Sequence, residues 1–449
     1  MIQKKVFGWM LCLILVLSMT VGCQAGNSGI SSSDEHTSPG TDSGNGNAEQ
    51  QPEEVTLRFS WWGSEERHKA LLEAIDLYME KNPHVTIEPE YGGFDGYYQK
   101  LVTQFAGNTA PDLTPLSFDW IQEIAVNGDL VHDLFTLQDV INLEAFDQEL
   151  LQKYTVFDGK LVGLPMGVNG MVTIYNKEFF QRYNIPEDTK WDWETIHQIG
   201  KQIHEQNPED YLFGLLDEGI YRKFLMPYVN QKTGNPFIKD DYTLGFDAAV
   251  IEEAFTYYKS LLDDGVLEPV EESKLYSGAE DNVRWLNGHI GMTVSLASTI
   301  PSFANGPEVD VSSYPIPADA KTSGVIVNPS NPLAISKSSK HPEEAAKFAS
   351  WLLTSPEAAE ILKGVYSVPA VPASMDLLEE KHLVDPTIIR AVEIALENPG
   401  DPVNGISGNS EVDQLATDYL DQVAFNQLTP KEAAEEFISR LQDKLADMQ

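Results

Sequence analysis

From Val55 onward the chain alternates strand-like and helix-like runs, and this alternation limits the fold more than any other feature of the sequence. Val55, Leu57 and Phe59 alternate with Thr56, Arg58 and Ser60, so the run reads as a strand. Gly63 breaks it, and Ser64 followed by Glu65 and Glu66 reads as a helix N-cap with acids in the first turn. Leu71, Ile75, Tyr78 and Met79 mark one face of that helix, which ends at "KNP" (81–83). "VTIEPEY" (85–91) is the next strand. "DGYYQKLVTQFAG" (95–107) is an amphipathic helix capped by Asp95 and stopped by Gly107, and "PDLTPLS" (111–117) is a third strand. This β-α-β-α-β order predicts a doubly wound, mainly parallel sheet. Ligands bind such sheets beyond the carboxyl ends of strands, at a switch in strand order. Trp61 and Trp62 fall at such an end. Trp61 continues the apolar phase, whereas Trp62 sits on the other one.

The later chain is richer in helix. "WDWETIHQIGKQIHEQNP", "DAAVIEEAFTYYKSLLDDG" and "HPEEAAKFASWLLTSPEAAEILKG" carry helical periodicity with end signals, and Thr429-Pro430-Lys431-Glu432 is a capping box with proline at the first helical position. At 449 residues the chain holds at least two domains. Acids outnumber bases 69 to 30, a formal net charge of −39. With no basic footprint to neutralise phosphate, nucleic acid and an anionic membrane surface are excluded as partners.

The first residues form a separate object. Lys4 and Lys5 precede the apolar run Val6–Thr20, which is too short for a spanning helix and reads as the core of a signal peptide over residues 1–22. Its end, "MTVGC", resembles the lipobox at which bacterial lipoproteins are cleaved and lipidated, with Thr20 where that pattern most often has leucine. The resemblance implies an acyl-modified Cys23. Cys12 and Cys23 are the only cysteines, so the mature chain contains no disulfide. Residues 23–54 hold almost no apolar side chain and read as a disordered polar tether with a reach of roughly 30 Å. A lipid anchor plus tether places the folded part at the extracellular face of the cell membrane.

Taken in order, "FSWWG", the helix ending "NP", "YGGFDGYYQKL", "GNTAPDL", "GDLVHDL", "DGKLVGLPMGVNGMVTIYNKEFF", "WLNGHIGMTV" and "HPEEAAKFASWLLTS" resemble the family 1 extracellular solute-binding proteins, the maltose-binding-protein-like receptors of ABC sugar importers. The resemblance covers essentially all of residues 55–449. It implies a two-lobed periplasmic-binding-protein fold, each lobe a mainly parallel sheet flanked by helices, with a ligand cleft between them. The expected crossings between lobes fall at 163–170, near 314–317 and near 336–341. The first lobe is then 55–166 plus 315–338, and the second is 169–312 plus 341–449.

Sugar recognition needs flat aromatic faces for the C–H side of a pyranose, and carboxylates, amides or guanidinium groups for its hydroxyls. Trp62, off the buried phase, is the expected stacking platform. Trp61 is core that could reach the rim. Glu66 and Arg67 lie in the first turn of the following helix. Surface charge is the competing reading for Glu66. The pairing "SWWG…RH" resembles the branch of the family that takes up pectic oligosaccharides, which implies that Arg67 could fork onto a uronate carboxylate. That branch usually has tryptophan where this chain has Phe94, and histidine near Tyr97. Asp119 matches the family's hydroxyl-binding acid, with helix capping as its rival, and Trp120 follows it. Asn169 lies among the glycines of the first crossing. Trp285 is either a cleft or a core residue, and Tyr366 in "GVYSVPA" is a further candidate. The aromatic that the family often places after "GMTV" is absent, so the second lobe's stacking partner is open.

No Walker A pattern, G-x-S-x-G or H-E-x-x-H motif is present. "DPVNGISGNSE" (401–411) lacks the acids of a calcium loop. The expectation is a receptor without catalytic residues, metal or cofactor, probing an extracellular oligosaccharide as a monomer. It would deliver that ligand to ABC permease subunits served by a separate ATPase. A lipid-anchored carbohydrate-active enzyme and a receptor for a non-sugar solute are the alternatives.

Overall fold

The computed structural model describes residues 53–94, 96–216, 219–276 and 278–448, apart from the side chains of Phe118, Asp119 and Gln122. Residues 1–52, read above as signal peptide, lipidated Cys23 and most of the tether, lie outside them, as does Asp95.

The first part of the chain runs β1 (Val55–Trp62), α1 (Glu65–Lys81), β2 (Val85–Gly92), α2 (Tyr97–Ala106), β3 (Leu113–Pro115), α3 (Phe118–Ile121), α4 (Gln148–Tyr154) and the short hairpin β4 (Val156–Phe157) and β5 (Lys160–Leu161). A second part follows with β6 (Gly167–Asn176), α5 (Lys177–Tyr183), α6 (Trp193–Gln206), β7 (Tyr211–Phe213), α7 (Met226–Thr233), α8 (Ala248–Asp263), α9 (Val270–Ser273), α10 (Val283–Leu286), β8 (Ile290–Leu296), β9 (Val309–Ser312) and β10 (Val327–Ser330). The last part is β11 (Leu333–Ile335), α11 (Pro342–Thr354), α12 (Pro356–Leu362), α13 (Pro372–Glu380), α14 (Pro386–Glu397), α15 (Ser410–Ala424) and α16 (Pro430–Asp447).

Two main sheets result. The first has the order β11-β3-β1-β2. β1 runs parallel to β2 in the register Val55↔Val85 to Trp62↔Gly92, and parallel to β3 through Phe59↔Leu113. The second has the order β10-β6-β8-β7, with β9 also on β6. It departs from the expected mainly parallel arrangement. Only β7–β8 is parallel, because β6 is the crossing strand and takes β8, β9 and β10 as antiparallel neighbours.

Helices cover both faces of the first sheet, and this decides the fate of the two tryptophans. On one face Phe59 meets Phe348 of α11 edge-on at 5.6 Å between ring centroids. On the other, the Ser60 hydroxyl lies 2.7 Å from that of Tyr97 in α2. A parallel sheet covered on both sides buries both phases of its central strand, so Ser60, Trp61 and Trp62 are all buried. The helix α1 starts as its sequence predicts, with the Ser64 hydroxyl accepting the Arg67 N–H. It buries His68, Leu71, Ala74, Ile75 and Tyr78. Gly96, at φ 75°, stands at the start of α2 without a side-chain cap bond.

The first crossing falls inside the expected 163–170, and the other two differ in place from those expected. The chain leaves the first sheet after Leu164, which bridges Leu333, and enters the second at Gly167, which pairs with Ser330. It returns between Ser330 and Leu333, not near 314–317. There the Tyr314 hydroxyl donates to the Lys223 carbonyl at 2.7 Å and the Ile316 N–H to the Trp191 carbonyl at 3.0 Å, which holds 314–316 on the second sheet's side. Residues 341–449 do not all belong to the second lobe either. Tyr78 packs on Phe348 (4.9 Å) and Trp351 (5.2 Å), and Lys81 pairs with Glu357 at 2.6 Å. These contacts place α11 and α12 on the first sheet. α14 packs against β6, and α16 against α8, so the third crossing falls between α12 and α14.

Candidate ligand cleft

At the carboxyl ends of β1, β2 and β3 the chain builds an aromatic ledge. Trp62, 7% exposed, is the hub. Its ring centroid lies 4.8 Å from Trp120, 5.0 Å from Tyr97 and 5.8 Å from Phe94. Phe94 stacks on Trp120 at 5.7 Å and 15° between planes, and Tyr97 lies parallel to Trp120 at 6.1 Å. Tyr98 approaches Trp120 at 5.3 Å and donates its hydroxyl to Glu123. Tyr97 is fixed from below by hydroxyl contacts to Ser60 (2.7 Å) and Thr114 (3.0 Å), and burial pushes its phenol up to about 12. Phe94, 55% exposed, is the face that this stack presents to solvent. A second exposed ring, Tyr91, lies on Trp61 at 5.1 Å and 21°.

Ser117, whose carbonyl accepts the Trp120 N–H at 2.9 Å, leads from the ledge to a pocket of about 280 Å³ that it lines with Asn169, Arg222, Asn328, Ser330, Asn331 and Asn404 among others. Ser117 belongs to the end of the first sheet. Asn169 and Asn328 form a register pair in the crossing ribbon, Arg222 comes from the helical turn Tyr221–Leu225 just before α7, and Asn404 from the loop between α14 and α15. The pocket is therefore built from both lobes and their connection. A wider groove of about 720 Å³ continues along the second lobe past Ile220, Arg222, Tyr258, Lys274, Tyr276 and Gln414. Its two cations are already engaged: Arg222 with Asp413 at 3.4 Å and the Gly408 carbonyl at 2.6 Å, Lys274 with Asp421.

The expected site residues divide sharply. Trp62 and Trp120 come together in the ledge. Asn169 lines the pocket, although its amide is held by Ser298, donating to the Ser298 hydroxyl at 2.7 Å and accepting the Ser298 N–H at 3.1 Å. The side chain of Asp119 lies outside the described residues. Trp61 is corrected to core: it is 0% exposed, and its indole N–H donates to His68 Nδ1 at 3.0 Å. Trp285 is also core, fully buried and edge-on to Phe303 at 5.2 Å. Glu66 is exposed and borders a groove on the outer side of α1 with Lys69, Glu73 and Lys363, away from the ledge.

The Arg67 guanidinium is engaged with backbone carbonyls. It donates from Nε and Nη2 to the Val365 carbonyl (3.0 and 2.8 Å) and from Nη1 to the Trp62 carbonyl (3.1 Å). Tyr366 is buried beneath it, its ring 4.2 Å from the guanidinium carbon, and so offers no stacking face. The sequence reading missed Tyr91, Phe94 and Tyr276. The first two had a signal: they flank Gly92-Gly93 at the carboxyl end of a strand, where this fold class places its ligands. Among the described residues no group of three or more His, Cys, Asp or Glu could hold a metal ion. No helix of the described residues is long and apolar enough to cross a membrane.

Comparison with known proteins agrees with this geometry. Residues 62–359 match the family described as bacterial extracellular solute-binding protein. Curated relatives from Brucella abortus and Brucella suis, named only as binding proteins, are 26% identical over 283 residues. The match spans 61% of this chain and 66% of theirs, just under two thirds of their length. A periplasmic solute binding protein from Pectobacterium atrosepticum superposes with a TM-score of 0.74 at 28% identity, covering 88% of this chain and 99% of its own. A periplasmic oligogalacturonide binding protein from Yersinia enterocolitica, with saturated digalacturonic acid bound, gives 0.68 at 27% identity over 88% and 99%. A de novo designed cysteine esterase shares the fold, with a TM-score of 0.81 and 26% identity over 89% of this chain and 100% of its own. The two-lobed architecture is thus that of periplasmic binding proteins, and the chain belongs to the bacterial extracellular solute-binding protein family.

Proposed function

We propose that the chain is the substrate-binding component of an ABC importer and that it captures an extracellular oligosaccharide. The observation that carries this reading is the aromatic ledge: Phe94, half exposed, stacks on Trp120 over Trp62, and the Trp120 N–H is bonded to the carbonyl of Ser117, which lines a pocket of amides and hydroxyls. An apolar face together with several fixed polar groups suits a pyranose, whose C–H side is apolar and whose rim is hydroxylated. The Yersinia protein, named for oligogalacturonides, supports a sugar as the ligand class. Arg67, engaged with two carbonyls, no longer argues for a uronate.

The ligand closes the two lobes about their crossings and is presented to permease subunits whose ATPase is a separate polypeptide. Cys23 carries the lipid that holds the monomeric receptor at the cell surface, and Cys23→Ser moves the protein out of the membrane fraction. The test of the binding function is thermal unfolding of the chain from residue 23 onward against neutral and uronic oligosaccharides. A ligand at 100 times its dissociation constant adds about 2.7 kcal/mol, a shift of several degrees. No shift with any sugar, and a shift with a peptide or polyamine, would overturn the reading.

A further inference from the structure

The third crossing holds a set of features that the binding site does not use. Just after α12, Lys363 has φ 48° and ψ −122°, and Ser367 has φ 73°, so two non-glycine residues within five positions occupy backbone regions that side chains disfavour. Between them, the Tyr366 and Ser367 hydroxyls are buried without a hydrogen-bond partner among the described residues. The segment also lies hard against the first crossing. The Val168 N–H donates to the Val368 carbonyl at 2.7 Å, and a Cβ on Gly167 would stand 2.0 Å from the Tyr366 carbonyl oxygen.

One side chain of the first lobe holds this segment in place. Arg67, in the first turn of α1, puts two donors on the Val365 carbonyl, a third on the Trp62 carbonyl, and its guanidinium plane over Tyr366. These are charge-assisted bonds from a rigid fork, so they fix the two carbonyls relative to each other. One of those carbonyls belongs to the hub of the ledge, and the other to a crossing that must bend when the lobes move.

We infer that Arg67 is a positioning residue that couples the ledge to the third crossing and thereby sets the balance between lobe arrangements. This rests on the two-lobed receptor reading, but it assigns Arg67 no contact with the ligand. The crossing is held in a disfavoured backbone conformation by bonds that Arg67 supplies. Removing the donors lets the segment relax, and the distribution of lobe separations changes even without ligand. Binding then weakens through the altered balance, by the same factor for neutral and for uronic sugars, because the lost group never touched either.

The test uses spin labels at Glu80→Cys in α1 and Asp443→Cys in α16, in a Cys23→Ser chain from residue 23 onward, with pulsed dipolar spectroscopy reading the distance between lobes. Arg67→Met keeps the stem and removes the donors; Arg67→Lys keeps the charge and part of the bonding. The expected result is a shifted or broadened distance distribution for ligand-free Arg67→Met, and a return toward the parent distribution for Arg67→Lys. A superimposable distribution for Arg67→Met would overturn the proposal. So would an unchanged distribution with at least tenfold loss of uronic sugars alone, which would make Arg67 a direct ligand contact. If Arg67→Met does not fold, Tyr366→Leu removes the ring under the guanidinium and must shift the same distribution, or the proposal fails. The ligand-free distances stand whether or not the panel reveals a sugar, so failure here is separable from failure of the receptor reading.

Discussion

Replacing Phe94 by alanine separates ligand binding from folding more cleanly than any other change in the ledge. Phe94 is 55% exposed, and what it buries lies against Trp120 and Trp62. Full burial of such a side chain contributes about 1.5–3 kcal/mol, so losing this half-buried ring costs about 1 kcal/mol of stability. If a pyranose stacks on the ring, the same change removes that contact and weakens binding at least tenfold, about 1.4 kcal/mol. Trp62→Ala is the control with the opposite balance. A tryptophan 7% exposed and packed against three rings buries about 150–250 Å², or about 4–6 kcal/mol, and large-to-small changes of this kind cost about 3–5 kcal/mol. Its off-phase position in β1 suggested a free platform whose loss would leave folding untouched. Burial from both sheet faces reverses that expectation. Calorimetric titration with thermal unfolding reads both quantities. Phe94→Ala with unimpaired sugar binding would refute the ledge as the ligand's seat, whatever its melting temperature.

Three further outcomes follow from the packing. Burial lowers the Lys223 ammonium to about 7, so between pH 7 and the usual lysine value the unfolded chain binds more protons and stability rises with pH; urea unfolding at pH 6 and pH 9 should show this rise, and Lys223→Met should abolish it. Burial alone would raise the Asp210 carboxyl, but hydrogen bonds from Tyr183, His289 and Arg182 hold it below its usual value. Its contribution is complete above the unfolded value of about 3.9 and is lost as pH falls through the folded one. Asp210→Asn should therefore flatten the acid limb of the unfolding curve and cost about 3 kcal/mol at pH 7. Gly167→Ala forces a Cβ to within 2.0 Å of the Tyr366 carbonyl oxygen, and a loss of about 3 kcal/mol, read as a lowered melting temperature, is expected; an unchanged melting temperature would mean that the two crossings separate freely.

The local half of this structure was legible in the sequence. The order of β1, α1, β2, α2 and β3, the Ser64 cap and the Thr429–Glu432 capping box each depend on residues within a few positions of one another, and all are present. What could not be read depends on partners far along the chain. The second and third crossings were misplaced because β10 pairs with β6, some 160 residues earlier, and because Phe348 turns α11 back onto Phe59. Alternation in β1 failed to report exposure for a related reason: a strand covered on both faces buries both of its phases. Arg67 was read as a ligand group because its neighbours in sequence suggested one, while its actual acceptor, Val365, lies 298 residues away. Trp285 had two readings that periodicity could not separate, and long-range packing on Phe303 decided between them.

The most direct test of the central claim is a crystal structure of the chain with the oligosaccharide that raises its melting temperature most. The account predicts a pyranose lying flat on Phe94, its carbons within about 4 Å of the ring, with its hydroxyls toward the pocket of Asn169, Asn328 and Asn404. A sugar seated instead in the outer groove beside Glu66 and Lys69, with Phe94 uncovered, would contradict it.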